Sequence, residues 1–330
     1  MAVFSADTLH DLLVSALETA GCSPENANAL ARQTVLAEEL GQKIVGVAHV
    51  FDYINDLAMG RIAGKAVPSV SKPAPTMILV DGNNGLPQLG FDLAYDDLVS
   101  TAHKLGLCAF LQKNTTLCGS LGTFALRVAE AGLVCLAATN GPATITGSGA
   151  TKPIYCTNPL AFSAPQADGP PLLIDQSSSA TTFVNVRAAS ERGESIPSGW
   201  AIDRDGQPTT DAGAALKGAL LPFGGARGAN IALMVEVLAG GLPGAQWSLD
   251  SLSADQSDQC AGSGLFVLAM DPAPADSRFP IRMASQIKRL QQDYGVHIPG
   301  LSKAKLRHRA SKEGIEVDDR LVARLHQIVS

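Results

Sequence analysis

Hydrophobic residues recur with two different periods along this chain. Over the first sixty residues or so they return every three or four positions, the spacing that places them on one face of a helix. Further on, short apolar runs alternate with helical stretches, which predicts an α/β or mixed α+β core. The predicted helices cover residues 5–20, 24–40, about 45–59, 119–131, 229–242, 285–294 and 319–328, with another that ends near residue 106. The predicted strands cover residues 77–81, 107–111, 133–137, 172–174 and 265–270.

Polar residues gather where one of these apolar runs ends. The run at residues 172–174 breaks into Asp175, Gln176 and Ser177, as a buried strand does when it delivers polar groups to a site. A strand–loop–strand elaboration of the surface is the alternative. Hydroxyls and amides surrounding this one Asp and the nearby Lys152 favour a site for a polar small molecule.

Composition narrows the class of protein. The chain has 330 residues, of which 46% are hydrophobic and 17% charged, so we expect one large or two ordinary globular domains. The formal charge of −6 gives no reason to expect a nucleic acid or an anionic membrane as a partner, and no apolar run is long enough to span a bilayer. The N-terminus is not typical of a signal peptide, and six scattered cysteines fit a cytoplasmic protein. Six scattered histidines indicate no metal site.

The usual sequence motifs for phosphate binding are missing. No G-x-G-x-x-G segment follows a predicted strand, and no Walker A sequence occurs. The segment at residues 147–152, GSGATK, comes closest and matches neither. If the protein binds a dinucleotide, it does so without the Rossmann arrangement.

Four ordered segments nevertheless indicate a dinucleotide enzyme. They are TNPLAF at residues 157–162, DQS at 175–177, GWAIDRDGQPTTD at 199–211 and LPFGGARG at 221–228. Together they resemble the malate/L-lactate dehydrogenase family of NAD(P)-dependent oxidoreductases, over about a hundred residues and more weakly to both termini.

That resemblance implies a fold, a cofactor and an assembly. The expected fold is α/β (mixed α+β), a non-Rossmann NAD(P)-binding fold around a largely antiparallel sheet. NADPH or NADH is the expected cofactor, and the family is usually homodimeric. We expect residues 76–270 to form the NAD(P)-binding domain, and residues 1–75 together with 271–330 to form a helical domain from the two termini.

The resemblance also implies which residues contact the cofactor. The family segment Asn-Ser-x-His-[Phe/Tyr]-Gly corresponds to residues 114–119, where Leu117 and Cys118 stand for the family's His and aromatic residue. A capping loop and solvated surface charges are the ordinary alternatives for these positions. The candidate cofactor residues are Asn114, Cys118, Gly119, Ser120, Asp175, Gln176, Ser177, Arg227, Lys303 and Arg307.

The chain departs from the family where the chemistry is expected. The family pattern Gly-x-x-Ser-His-Gly-Val-x-Arg supplies a proton donor in its His and a carboxylate partner in its Arg. In residues 41–49 the Ser and His are Ile44 and Val45, and the Arg is His49. A downstream Asp that supports the His in some members corresponds to Asn185.

This departure favours an imine as the substrate. A ketone that accepts hydride becomes an alkoxide and needs a proton from a positioned acid, which Val45 cannot supply. A cyclic imine arrives protonated and becomes a neutral amine. Some family members reduce Δ1-pyrroline-2-carboxylate and Δ1-piperideine-2-carboxylate to proline and pipecolate, although they keep the His.

We therefore expect an NAD(P)H-dependent reductase of a small cyclic imino acid. His49, Thr157 and Gln88, the last in a predicted loop at residues 82–90, are the candidate substrate-binding residues. His49 and Lys152 are the candidate catalytic residues. Two alternatives stay open: a malate- or lactate-like 2-hydroxyacid dehydrogenase with a relocated acid, and a cofactor-binding protein without chemistry.

Overall fold

A mixed sheet runs through the middle of the molecule. The computed structural model describes residues 1–252 and 257–330, and seven strands within them form this sheet. In spatial order the strands are β2 (Ser69–Ala74), β3 (Met77–Gly85), β4 (Leu107–Thr115), β13 (Ser263–Met270), β5 (Val134–Thr139), β8 (Leu160–Ala164) and β9 (Leu172–Gln176). The β3–β4 pair is parallel and the other five neighbouring pairs are antiparallel. The predicted largely antiparallel sheet is therefore confirmed.

Two helices cover one face of this sheet. α4 (Pro87–Leu105) and α5 (Leu121–Glu130) bury an aromatic cluster in which Phe91 meets Phe110 and Phe124 edge to face, with ring centroids 5.4 and 5.0 Å apart. Because successive strand residues point to opposite faces, the neighbour of Phe110, Leu111, packs in a different core with Phe266. A π-helical turn, Glu236–Gly241, lies against that second face.

The two ends of the chain share a helical core. It contains α1 (Ala6–Thr19), α2 (Pro24–Glu39), α3 (Val47–Ala58) and α11 (Asp319–Val329). β1 (Ala2–Phe4) and β14 (Ile315–Val317) pair antiparallel beside them. Ser5 and Ser23 cap the first two helices, as the sequence predicts for Ser23. The division of the chain into two domains stays a prediction.

A smaller sheet completes the fold. Its spatial order is β11 (Pro208–Thr209), β10 (Ala201–Ile202), β12 (Ala219–Leu220), β6 (Ile145–Thr146) and β7 (Pro153–Tyr155). α6 (Phe183–Glu191), α7 (Ala212–Ala215) and α8 (Ala226–Val235) contribute to its core. The remaining helices of the described chain are α9 (Phe279–Tyr294) and α10 (Leu301–Glu313).

Several predicted boundaries were wrong. β3 continues to Gly85 and α4 begins at Pro87, so Gln88 lies in the first helical turn and not in a loop. β4 continues to Thr115, past the predicted break at residue 112, because β3 and β13 extend alongside it.

Two further segments differ from their predictions. The basic run around Lys303 is helical, within α10. The helix predicted over 229–242 starts at Ala226 and changes to π-helical geometry at Glu236. The predicted irregular segment at residues 247–263 includes 253–256, which lie outside the described residues.

Candidate active site

The connection between β4 and α5, taken here with the first two residues of that helix as residues 117–122, is where the predicted site residues meet. The Tyr53 hydroxyl donates to the carbonyl oxygen of Leu117 at 3.0 Å, and Gln88 Nε2 donates to that of Cys118 at 3.1 Å. The N–H of Gly122 donates to Asp175 Oδ2 at 3.2 Å. Residues from α3, α4 and β9 therefore converge on this one connection.

His49 lies on the α3 side of the connection. Its Nδ1 is 2.8 Å from Asp52 Oδ2, one helical turn along α3, and its ring meets Tyr53 edge to face with centroids 4.7 Å apart. The hydrogen bond from His49 is the main reason that the pKa of Asp52 lies below its usual value, while burial acts in the opposite direction. With Nδ1 held by Asp52, Nε2 is the ring atom left for a substrate, since it has no hydrogen bond within the described chain.

The turn that precedes α3 carries Ile44 and Val45 where the family resemblance leads us to expect Ser and His. Ile44 and Val45 fall in a 3₁₀ turn, Lys43–Val45, and the Ile44 side chain is exposed. Buried Glu38 holds this turn: its Oε2 accepts from Lys43 Nζ at 2.6 Å and its Oε1 from the N–H of Val47 at 2.8 Å. Sequence reasoning missed Glu38, although a carboxylate on the buried face of α2 was a visible signal.

Asn185, at the position of the family's supporting Asp, has a local role. Its N–H donates to Thr182 Oγ1 at 3.2 Å, and its side-chain amide donates to Thr181 Oγ1 at the same distance. These bonds cap the start of α6. None of Ile44, Val45 and Asn185 offers an ionisable group.

The side chain of Asp175 links the first turn of α5 to α10. Its Oδ2 accepts from Gln42 Nε2 at 3.1 Å and lies 3.8 Å from Lys303 Nζ. Ser120 Oγ donates to Gln42 Oε1 at 2.7 Å. A Cβ on Gly122 would lie 2.5 Å from Asp175 Oδ2, so this close approach requires glycine. The structure thus brings together Ser120, Asp175 and Lys303, and adds Gln42, which the sequence did not indicate.

A cleft of about 420 Å³ lies beside this cluster, between α2, α5, β9 and α10. Its wall includes apolar Leu40, Leu126, Pro170, Pro171 and Leu173 and polar Glu39, Glu130, Arg307, His308 and Ser311. Gly300, with a φ of +87°, allows α10 to approach β9 so closely that a Cβ would lie 2.9 Å from the Leu173 backbone. An apolar slot with charged groups at its edge suits a flat heteroaromatic ring that carries a polar substituent.

The segment that follows β7 ties the end of β9 to α8. The N–H of Ser178 donates to the carbonyl oxygen of Thr157 at 2.7 Å, and the N–H of Phe223 donates to that of Ser178 at 3.0 Å. Ser177 Oγ is 2.9 Å from Ser179 Oγ. Thr157 and Ser177 therefore lie near the segment that leads to Arg227, whose side chain is exposed in the first turn of α8.

Asn158 gives this segment its shape. Its φ is +38°, and its side-chain amide donates to Glu236 Oε2 and to the carbonyl oxygen of Ala232, both at 2.8 Å. Glu236, buried in the π-helical turn, also accepts from Ser248. The Asn of the TNPLAF segment is thus structural here.

The side chains of Lys152, Asn114 and Gln176 have no hydrogen bond or ion pair with Asp175, Ser120 or Lys303 within the described residues. Lys152 is exposed and has no polar partner in the part of the chain that the structure describes. Asn114 donates from Nδ2 to Asp81 at 2.9 Å, and Gln176 is exposed. Gln88 is only 2% exposed, and its buried side-chain amide donates a hydrogen bond to the Cys118 carbonyl oxygen.

Burial disfavours the thiolate form of the two cysteines near the site. Burial raises the pKa of Cys118 to about 12 and also raises that of Cys156. Among the described residues, no three His, Cys, Asp or Glu side chains are grouped as a metal site would require. No helix in the same residues combines the length and apolar character needed to cross a bilayer.

Comparison with known proteins agrees with this fold. The family described as malate/L-lactate dehydrogenase matches residues 4–326. The chain is 32% identical over 324 residues to a Δ1-pyrroline-2-carboxylate/Δ1-piperideine-2-carboxylate reductase of Pseudomonas putida, covering 97% of this chain and 95% of the relative. It is 33% identical over 315 residues to a (2R)-3-sulfolactate dehydrogenase (NADP(+)) of Chromohalobacter salexigens, covering 95% and 94%.

A solved structure gives the same result. The crystal structure of Δ1-piperideine-2-carboxylate reductase from Pseudomonas syringae pv. tomato superposes with a TM-score of 0.95 at 32% identity, covering 99% of this chain and all of that one. The expected family is confirmed: this chain belongs to the malate/L-lactate dehydrogenase family of NAD(P)-dependent oxidoreductases.

Proposed function

We propose that this protein reduces a small cyclic imino acid, Δ1-pyrroline-2-carboxylate or Δ1-piperideine-2-carboxylate, to L-proline or L-pipecolate. The observation that carries the proposal is the 3₁₀ turn Lys43–Val45, where Ile44 and Val45 stand in place of the expected Ser and His and offer no proton donor. The relatives named for this imine are 32% identical over nearly the whole chain.

The chemistry tolerates that loss. Hydride adds to the carbon of a protonated C=N bond, the π electrons move to nitrogen, and a neutral amine results without a proton from the protein. A 2-oxoacid in the same place would become an alkoxide and would need a proton delivered to oxygen. The site therefore suits an iminium better than a ketone.

His49 is the proposed partner of the substrate carboxylate. Asp52 fixes its ring through Nδ1, so that Nε2 can donate a hydrogen bond when the imidazole is protonated. Thr157 remains the second proposed substrate contact. Gln88 stays a candidate, but its burial favours a role in holding the 117–122 connection.

The residues around Asp175 and the adjoining cleft fit a nicotinamide dinucleotide. Lys303 offers a cation for phosphate, Asp175 and Ser120 offer partners for ribose hydroxyls, and the adjoining cleft has an apolar wall for adenine. When bound, the dinucleotide supplies the hydride. The further proposed cofactor contacts are Arg227, Ser177, Gly119 and Cys118. The weakest candidates are Asn114, Gln176 and Arg307, because Asn114 and Arg307 already have partners within the chain and Gln176 is exposed.

The test compares the two substrate classes in the unmodified protein. Purified enzyme is assayed with Δ1-pyrroline-2-carboxylate, Δ1-piperideine-2-carboxylate, pyruvate and oxaloacetate, each with NADH and with NADPH, across the pH range. Imine reduction should be much faster than keto-acid reduction and should fall as the pH rises above the pKa of the imine. Efficient keto-acid reduction without measurable imine reduction would overturn the proposal.

A 2-hydroxyacid dehydrogenase is the second candidate. The His49–Asp52 pair has the geometry of an oriented acid, and the sulfolactate dehydrogenase relative is 33% identical. Under this alternative, keto-acid reduction is abolished by His49→Gln or by Lys152→Ala, whichever residue is the acid. Nucleotide binding without turnover of either substrate class would indicate the other alternative, a cofactor-binding protein that catalyses no reaction.

We also propose a cytoplasmic homodimer. Leu233, Met234 and Val237 are about half exposed on one face of α8 and the turn that follows it, and Leu242 is exposed beyond them. Clustered large apolar side chains on a surface are typical of a protein interface. All six cysteines are free thiols, which suits a reducing compartment.

A further inference from the structure

The only Arg in the wall of the 420 Å³ cleft, as the structure describes it, is already engaged by two carboxylates. Arg307 forms an ion pair from Nη1 to Glu130 Oε1, and its Nε lies 3.3 Å from Glu39 Oε2. Glu39 sits at the end of α2 and Glu130 at the end of α5, so two separate helices hold the guanidinium from different directions. Burial raises the pKa of Glu39, but the charge of Arg307 opposes that rise and favours its ionised form.

The charge around this guanidinium is unfavourable for a second phosphate. Two carboxylates and one guanidinium leave the wall with a net charge of −1 when His308 is neutral. The other cation close by, Lys303, is 3.8 Å from Asp175 and faces its own carboxylate. A phosphate monoester such as the 2′-phosphate of NADPH carries roughly −1.5 to −2 at neutral pH and would have to displace these carboxylates from Arg307.

A ribose hydroxyl meets no such obstacle. It can donate a hydrogen bond to a carboxylate, and an acidic residue on the ribose 2′-OH is the arrangement by which other dinucleotide enzymes select NADH. Glu130 is 38% exposed and lies at the edge of the cleft, where a hydroxyl could reach it. Arg307 would then orient Glu130 and would not bind phosphate itself.

We infer that Glu39 and Glu130 make this cleft select NADH over NADPH. The inference rests on the proposed function, because it takes the cleft to hold the adenosine end of the cofactor. It revises the expectation from sequence that Arg307 lies beside a phosphate. The cofactor dissociation constant should be at least about tenfold lower for NADH than for NADPH, a difference of about 1.4 kcal/mol.

The experiment is calorimetric titration of the purified protein with NADH and with NADPH, which needs no substrate. Glu39→Gln and Glu130→Gln keep the size of each side chain and remove its charge. Each should improve NADPH affinity by about three- to tenfold, and together they should cancel or reverse the preference. NADH affinity should weaken no more than about threefold. Adding Arg307→Ala to the double variant should remove the gain for NADPH.

Glu313→Gln is the matched control. It removes the same charge from α10, the helix that carries Arg307, but Glu313 pairs with Arg309 at 2.6 Å and does not line the cleft. The control should leave the ratio of the two dissociation constants unchanged. Melting temperatures of all variants confirm that each is folded.

The outcomes separate the inference from the proposed function. Wild-type protein that binds NADPH as tightly as NADH overturns the inference, and so does a ratio that the two Gln variants do not move. Protein that binds neither nucleotide overturns the proposed function and the inference with it. A clear NADH preference without imine reduction removes only the proposed substrate.

Discussion

His49 replaces a permanent charge with a conditional one. In the family pattern this position holds an Arg, which stays protonated at any ordinary pH, whereas an imidazole changes charge near neutrality. The contact with Asp52 at 2.8 Å fixes the orientation of the ring through Nδ1.

The His49–Asp52 pair predicts a pH effect on stability. The pKa of Asp52 is lower in the folded protein than in the unfolded chain, chiefly because His49 donates to it. Its contribution to stability is therefore present above the unfolded value of about 3.9 and is lost as the pH falls through the lower folded value. Asp52→Asn should lower the melting temperature at pH 5 to 6, and the gap to wild type should close toward pH 3.

Thermal denaturation of both proteins between pH 3 and 6 measures this gap. Asp96→Asn, an exposed position of α4 without an ion pair in the described chain, is the control and should give no pH-dependent gap. A gap for Asp52→Asn that stays constant over the whole range would contradict the prediction.

Among single residues, the sequence could locate those site residues that a local pattern marks. Asp175 was predicted because an apolar run ends on it, and the structure puts it at the end of β9 beside Ser120 and Lys303. Gln42 could not be found in this way. It meets Asp175 across 133 residues of sequence, and nothing in its neighbours marks it as a polar bridge.

Among the elements, the 3₁₀ turn Lys43–Val45 is held from two sides. The Glu38 carboxylate accepts hydrogen bonds from Lys43 Nζ and from the N–H of Val47. Lys43 Nζ also donates to the carbonyl oxygen of Glu316 in β14 at 2.6 Å. Gly46 is required here, because a Cβ would lie 2.2 Å from Glu38 Oε1. The contacts of Glu38, Lys43 and Gly46 therefore hold the turn without a Ser or His within it.

Glu38→Ala should destabilise the protein by about 1–3 kcal/mol, because it leaves the buried start of α3 without its acceptor. Lys43→Ala should cost less, within about 1 kcal/mol, since the lysine is half exposed and an exposed partner contributes little. Chemical denaturation of the two variants measures both free energies. Equal losses would show that the helix start does not depend on Glu38.

Element boundaries followed tertiary pairing more than local pattern. β4 continues through Gln112 and Thr115 because β3 and β13 pair with it there, although polar residues suggested a break. The start of α4 could have been predicted better, since Pro87 is a typical first residue of a helix. The order of the strands could not be read from the sequence, because β13 enters the middle of the sheet from far along the chain.

For the molecule as a whole, the apolar face of α8 carries the assembly prediction. Met234→Glu together with Val237→Glu places two charges in the proposed interface and should convert the dimer into a monomer. Sedimentation at micromolar concentration measures the change. Leu93→Glu, at a comparably exposed apolar position of α4, is the control and should leave the dimer intact. Wild-type protein that sediments as a monomer would contradict the proposed dimer.

The central position of β13 in the sheet has a consequence for folding during synthesis on the ribosome. β13 bonds to both β4 and β5, and its contact between Thr139 and Gly264 spans 125 residues. Until Met270 has been synthesised, β2–β3–β4 and β5–β8–β9 are two separate half-sheets, each with an unpaired inner edge. Such edges invite pairing with other chains, and closure over so long a loop is slow. The nascent chain therefore depends on protection of these edges until β13 has been translated.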